Sequence, residues 1–258
     1  MGNLGYKGFS RRHLPHVNPP GRTLFVTYRL AGSIPKPLLR HYQTKNEWLQ
    51  KELKSLYARL PAGTGQTKAC PTEYDKLQLV DSLEIRNHLE QLERFRREWF
   101  VKFEETLDQA RRGPTWLKDD RVAQVVANQI RELDGEAYDL DTYCVMSNHV
   151  HVVFTPLLTE ASLREEFDET GHLAFVSKYP GLSKIMHQLK GRSAREGNVA
   201  LSRTGQFWEH ESFDHVIRPG KLVATVRYVL NNPVKAGLVK DWRDWRWSYC
   251  RTELYDKL

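Results

Sequence analysis

Cysteine is scarce in this chain, and the three present, Cys70, Cys144 and Cys250, are an odd number placed far apart with no Cys-x-x-Cys spacing. That excludes a disulfide framework and a zinc knuckle, and it fits a reducing compartment. No apolar run approaches the roughly 20 residues needed to span a bilayer. The N-terminus has no apolar core of a signal peptide. Met1-Gly2 opens like a myristoylation signal, but Tyr6 stands where Ser or Thr would be required. A cytoplasmic protein with no membrane partner is therefore expected. No internal repeat or low-complexity tract occurs.

Acidic residues are missing from one place in particular. Residues 1–35 carry five basic side chains (Lys7, Arg11, Arg12, Arg22, Arg29) and no Asp or Glu. Residues 181–258 carry fourteen basic and eight acidic side chains, whereas 114–180 is acidic, within a chain of net charge +7. A solvated mixed-charge surface would explain these totals. Basic ends brought together would instead make one surface for phosphates. At 258 residues and 40% hydrophobic, the chain has enough apolar material for a real core.

Coarse periodicity gives the elements. Residues 1–21, rich in Pro, Gly and His, read as an extended basic arm. Arg22 to Leu30 alternates as a strand. Leu39, Tyr42, Leu49, Leu53, Leu56 and Leu60 recur at helical spacing, and Pro61-Ala62-Gly63-Thr64-Gly65 breaks that helix. The segment Gly63 to Lys68 lacks the ending of a phosphate-binding loop and is rejected as a nucleotide site. A second helical stretch covers about Tyr74 to Ala110, with Leu83, Leu89, Leu92, Phe95, Trp99, Phe103 and Leu107 as its stripe.

Beyond Gly113-Pro114, Asp119 or Asp120 can cap a helix bearing Val122, Val126, Ile130 and Leu133. Strands are expected at about Glu136 to Met146 and His149 to Thr155, joined by a tight Ser147-Asn148 turn. Residues 159–170 are acidic and expected on the surface. From Leu182 to Arg195, apolar Leu182, Ile185, Met186 and Leu189 alternate with basic Lys184, Lys190, Arg192 and Arg195. Gln206 to Arg218 reads as strand or hairpin, and Lys221 to Asn231 as a helix. This order fits an α+β fold built on an antiparallel sheet.

Two short constellations carry chemistry. In Asn148-His149-Val150-His151-Val152-Val153-Phe154, side chains at i and i+2 of a strand share a face. His149 and His151 can thus converge on one metal ion while Val150, Val152 and Phe154 enter the core. Taken alone, the pair reads equally well as two ordinary histidines. In Arg227-Tyr228-Val229-Leu230-Asn231-Asn232-Pro233, Tyr228 and Asn232 lie one helical turn apart. The plain readings are a core aromatic for Tyr228 and, for Asn232, a helix-terminal Asn suited to the left-handed conformation. His187, His210 and His215 are expected in surface or structural roles. Trp208 and Phe213 could stack bases, with core packing the simpler expectation, and Asp214 could orient a site residue or pair with Arg218.

Together, Met146-Ser147-Asn148-His149-Val150-His151 and Tyr228-x-x-x-Asn232-Pro233-Val234-Lys235-Ala236-Gly237-Leu238-Val239 resemble the signature of the single-tyrosine HUH transposases, in particular the REP-associated tyrosine transposases. The likeness opens at Arg11-Arg12-His13-Leu14-Pro15-His16 and closes at Trp245-Arg246-Trp247-Ser248-Tyr249. Residues from about Pro37 to Gly113 depart from it as a helical insertion that minimal members lack.

The resemblance implies a ferredoxin-like (RRM-like) HUH core in a single domain, bacterial and intracellular. It implies cleavage of single-stranded or hairpin-flanked DNA by Tyr228 through a 5′-phosphotyrosine, with Mg²⁺ or Mn²⁺ on His149, His151 and Asn232. A phenol, ionising near pH 10, is a better leaving group than a sugar hydroxyl, so such a linkage is reversible. Lys190, Arg192, Arg195 and the arm residues Arg11 and Arg12 are the expected DNA-backbone contacts, and a homodimer is compatible with this reading. Two other classes compete: a domesticated regulator that binds DNA without cutting, and an RNA-binding module, which would present aromatics where this strand presents histidines.

Overall fold

The computed structural model describes residues 21–58, 83–110, 113–157, 163–167, 173–177 and 181–258, the two five-residue strands by backbone alone. The basic arm with Arg11 and Arg12, the Gly63–Lys68 segment and residues 74–82 lie outside the described residues. The chain divides into two compact units, Met1–Ser33 with Asp108–Leu258, and Ile34–Leu107.

The larger unit is built on a five-stranded antiparallel sheet in the order β6-β1-β3-β2-β7. Its strands are β1 (Leu24–Arg29), β2 (Tyr138–Val145), β3 (His149–Pro156), β6 (Phe213–Val216) and β7 (Ser248–Cys250). Strands β4 (Leu163–Phe167) and β5 (Leu173–Ser177) form a separate antiparallel pair. Helix α3 (Asp120–Glu132) precedes β2 and helix α4 (Leu182–Ala200) precedes β6. The first four strands and these helices follow β-α-β-β-α-β order, the ferredoxin-like arrangement, and β7 extends it beside β2.

Alternation places Leu24, Val26, Tyr28, Tyr143, Val145, Val150, Val152 and Phe154 on one sheet face. They enter a single core with Val122, Val126 and Ile130 of α3 and Ile185 and Leu189 of α4. Val150, Val152 and Phe154 are fully buried, and each contributes about 1.5–3 kcal/mol by leaving water. They hold β3 in register; a one-residue slip would turn the histidines into that core. The start of α3 is as expected, with the Asp119 carboxylate accepting from the Arg121 backbone N–H.

Several expectations need correcting. Helix α4 runs to Ala200 rather than Arg195, because Gly197 lies against the Phe207 ring, where a Cβ would sit 2.8 Å away. Gln206 to Arg218 yields only the short strand β6, preceded by a single bridge between Leu30 and Trp208. Trp208 packs in the core, as the simpler expectation had it, edge-on to Tyr28 at 4.8 Å, and its indole N–H donates to Ser193 Oγ at 3.0 Å. The acidic stretch contains β4, and β7 was not anticipated at three residues long.

The smaller unit holds helix α1 (Lys36–Ala58) and most of helix α2 (Leu83–Gln109). Leu49, Leu53 and Leu56 pack on Ile85, Leu89 and Leu92, and Tyr42 stacks on Trp99 at 4.5 Å. Asn46 and Glu104 are buried in it. Leu83, expected in the stripe, is 69% exposed. Among the described residues, no helix is long and apolar enough to cross a membrane.

The chain leaves the larger unit after Gly32-Ser33 and is back by Gly113. A Cβ on Gly113, whose φ is +86°, would lie 2.5 Å from the Gly32 carbonyl oxygen and 2.8 Å from Ser33 Cα. The exit and return strands of backbone therefore touch, and only glycine allows it.

Candidate metal centre and tyrosine

The second face of the sheet carries the candidate site. Register pairs Thr27 with His151, Arg29 with His149, and Cys144 with His151, so these side chains share the face away from α3 and α4. His149 and His151 are fully buried. Their Nε2 atoms stand 3.0 Å apart. Each Nδ1 has its own oxygen: Asn148 Oδ1 at 2.7 Å for His149 and Thr27 Oγ1 at 2.8 Å for His151.

The Asn148 oxygen decides one of the two tautomers. Asn148 Oδ1 only accepts, so His149 Nδ1 carries the proton and Nε2 keeps a lone pair. Thr27 Oγ1 can donate or accept: if it donates, His151 Nε2 carries a proton and donates to His149 Nε2, and if it accepts, two lone pairs face each other at 3.0 Å. The second arrangement is repulsive unless a cation lies between the nitrogens. Adjacent ligands on an ion with bonds of about 2.1 Å would also be separated by about 3.0 Å. The pair could therefore hold a divalent metal, with the orienting hydrogen bonds such ligands usually have.

Helix α5 (Leu222–Leu230) packs on β2 and β3 and presents Tyr228 to this face. The Tyr228 ring centre is 6.1 Å from both His151 and Phe25. Tyr228 is only half-buried, whereas its neighbours Val226, Val229 and Leu230 are buried. Val226 and Leu230 pack against Leu254 of helix α7 (Thr252–Tyr255), which fixes the rotation of α5.

Asn232 does not end the tyrosine helix as expected. α5 stops at Leu230, and Asn232 starts a further turn, α6 (Asn232–Lys235), with right-handed backbone on both sides. Pro233, which lacks an N–H, suits the first turn of α6. Asn232 is 1% exposed, and its amide nitrogen donates to the Tyr228 carbonyl at 2.9 Å. Its Oδ1 is buried with no hydrogen-bond partner among the described residues. A buried carbonyl oxygen left this way is costly, and it suits a hard cation.

Lys190 donates to the backbone oxygens of Glu209 and His210. Arg192 is paired with Glu132 and Glu196, and Arg195 is exposed on α4. His187, His210 and His215 are exposed; His215 packs its ring on Phe25 at 5.0 Å.

The structure adds residues that sequence reasoning missed. Arg29, 5% exposed, sits beside His149 in the register, is ion-paired with Glu209 at 3.6 Å and has its pKa lowered chiefly by burial. Asp108 Oδ1 lies 4.0 Å from His149 Nε2. Strand alternation could have flagged Arg29; nothing local marks Asp108. Cys144, opposite His151, is held as a thiol, its pKa pushed up to about 12 chiefly by burial.

No protein-family model matches this chain, and none of the curated proteins does. Among solved structures, the chain is similar to a REP-associated tyrosine transposase bound to a REP hairpin, at 15% identity, covering 90% of this chain and 79% of that one with a TM-score of 0.36.

Proposed function

We propose that this protein is a metal-dependent endonuclease and strand transferase for single-stranded DNA, with Tyr228 as its nucleophile. The observation that carries the reading is the convergence of His149 Nε2 and His151 Nε2 at 3.0 Å, with the half-buried Tyr228 ring 6.1 Å from His151.

A bound Mg²⁺ or Mn²⁺ on His149, His151 and Asn232 would supply Lewis acidity toward a non-bridging phosphate oxygen. Every other part of the step belongs to this chain and the DNA. Tyr228 Oη forms a bond to phosphorus as its phenolic proton leaves. The bond from phosphorus to the 3′ oxygen breaks, and that oxygen leaves as a protonated 3′-hydroxyl. The 5′ side stays on Tyr228 as a phosphotyrosine, which a later 3′-hydroxyl can attack in the reverse sense. Thr27 and Asn148 keep both imidazoles in the ligand tautomer. The packing of Val226 and Leu230 aims Tyr228 at the histidine face. Arg195 and the arm residues Arg11 and Arg12 hold backbone phosphates.

The substrate is a flexible strand next to a stem-loop, because the scissile phosphate must reach Tyr228 and the sheet face in line, which a stacked duplex resists. The test is incubation with single-stranded hairpin DNA and Mg²⁺ or Mn²⁺, followed by a search for a denaturation-resistant protein–DNA adduct. Wild type should form one, and Tyr228→Phe, which loses one oxygen, should fold and bind DNA yet form none. An adduct with the Phe variant would remove Tyr228 from its role. Binding without any adduct in wild type would favour a non-cleaving regulator.

A further inference from the structure

We propose that the cavity lined by Leu117, Leu238, Trp245 and Trp247 receives one unpaired base of the DNA strand. The inference rests on the reading of this protein as an enzyme of single-stranded DNA. The cavity measures about 350 Å³, near the lower end of the roughly 300–1,000 Å³ of small-ligand sites, which suits a single nucleotide. All of its lining belongs to the larger unit.

Both halves of the candidate site reach this cavity. Ser147 borders it, and the two residues of chain from Ser147 to His149 span at most about 7 Å. Leu238 and Val239 border it from the other motif, shortly after α6, the turn that carries Asn232. A strand whose phosphate meets Tyr228 and the histidine face is thus placed to lay a nearby nucleotide at this mouth.

The walls suit the flat face of a base. Trp247 is buried and Trp245 half-buried. Both indoles are fixed at the ring nitrogen: Trp245 donates to the Val145 carbonyl at 3.0 Å, and Trp247 to Asp120 Oδ1 at 3.3 Å. Aromatic rings held in this way offer a stacking surface at little cost in side-chain entropy. Leu117 is buried, whereas Leu238 is 43% exposed, an apolar side chain that a base would cover.

The charged groups of the lining divide by role. Asp120 is engaged by Arg246 at 3.0 Å and by Trp247, and the Arg246 guanidinium lies 4.5 Å over the Trp247 ring. Lys118 and Asp244 are exposed. The ammonium of Lys118 suits the phosphate of the entering nucleotide. The Asp244 carboxylate, an acceptor only, suits the N–H groups of a base edge.

The experiment is an abasic scan. Hairpin DNA with a single-stranded flank is prepared with one flank nucleotide at a time lacking its base, and affinity for the full chain is read by fluorescence anisotropy in EDTA, where no cleavage competes. In wild type, one flank position or two adjacent ones should lose about tenfold, and the others less than twofold. Trp245→Leu and Leu238→Asp should each abolish that position-dependent loss, while Trp245→Phe, which keeps an aromatic face, should retain most of it. Because the loss is a ratio within one variant, general changes in charge or stability cancel, and Leu238 is exposed enough to be changed without disturbing the core. A flat scan in wild type overturns the inference without any variant, and so does a loss that persists in Leu238→Asp. If wild type binds no single-stranded DNA at all, the single-strand reading itself falls; tight binding with a flat scan refutes the base cavity alone.

Discussion

Thr27 Oγ1 sits 2.8 Å from His151 Nδ1, on the neighbouring strand and in direct register with it. A threonine buried to 1% exposure in mid-strand is thereby placed to accept the Nδ1 proton of His151 and leave Nε2 for a metal. Thr27→Val keeps shape and volume but removes that oxygen. It should lower Mn²⁺ affinity about ten- to a hundredfold with little change in melting temperature. Titration of the variant at neutral pH checks this; unchanged affinity would show that the tautomer is set elsewhere.

The junction at Gly113 should tolerate no side chain. With φ at +86° and the Gly32 and Ser33 backbone in the way, Gly113→Ala combines strain with a clash against groups that cannot rotate aside. A loss above about 2 kcal/mol is expected. Gly32→Ala, at φ +81° with open space around it, should cost only about 1 kcal/mol. Urea midpoints of the two variants measure the difference, and equal losses would mean that φ alone is at work.

Asp119 gives a pH signature. Its side-chain hydrogen bond with Arg121, more than its bond to the Arg121 backbone N–H, holds its carboxyl down at about 2. A lowered folded pKa means that its stabilisation is present above the ordinary carboxylate range and disappears as pH falls through about 2. Asp119→Ala should therefore melt a few degrees below wild type at pH 7, with the gap closing toward pH 2. A gap that is the same at pH 7 and pH 2 would assign the effect to helix propensity instead.

The basic face of α4 should act unevenly. Arg192 is engaged by Glu132 and Glu196, while Arg195 is exposed. In single-strand DNA binding, Arg195→Ala should flatten the log-log salt slope by about 0.7, one phosphate contact. Arg192→Ala should change it less. Fluorescence anisotropy over a salt series separates them, and the reverse order would show that DNA displaces the two glutamates.

Much of this was legible in the residues. Val150, Val152 and Phe154 alternate with His149 and His151, and a period of two fixes which side chains share a face without any knowledge of partner strands. Tyr228 was set apart by its spacing to Asn232 and by the family resemblance of the motif around it, since eleven tyrosines occur in the chain. What stayed hidden is what depends on pairing between distant segments. Thr27 became a partner of His151 only through strand register, and Asp108 sits at the end of a helix whose own pattern shows only a core stripe. Helix ends also escaped: Leu182 to Arg195 has a clear apolar face, but its continuation to Ala200 depends on Phe207 lying over Gly197.

The touching backbones at Gly32 and Gly113 make the intervening segment a loop whose ends are already closed by the larger unit. Closing a loop costs entropy only as the logarithm of its length, so doubling or halving such a segment changes stability by about 0.6 kcal/mol. Length between these two glycines is therefore only weakly constrained by the entropy of closure. A grafted segment of other size and sequence could occupy the same doorway, provided that Gly113 keeps its close approach to Gly32.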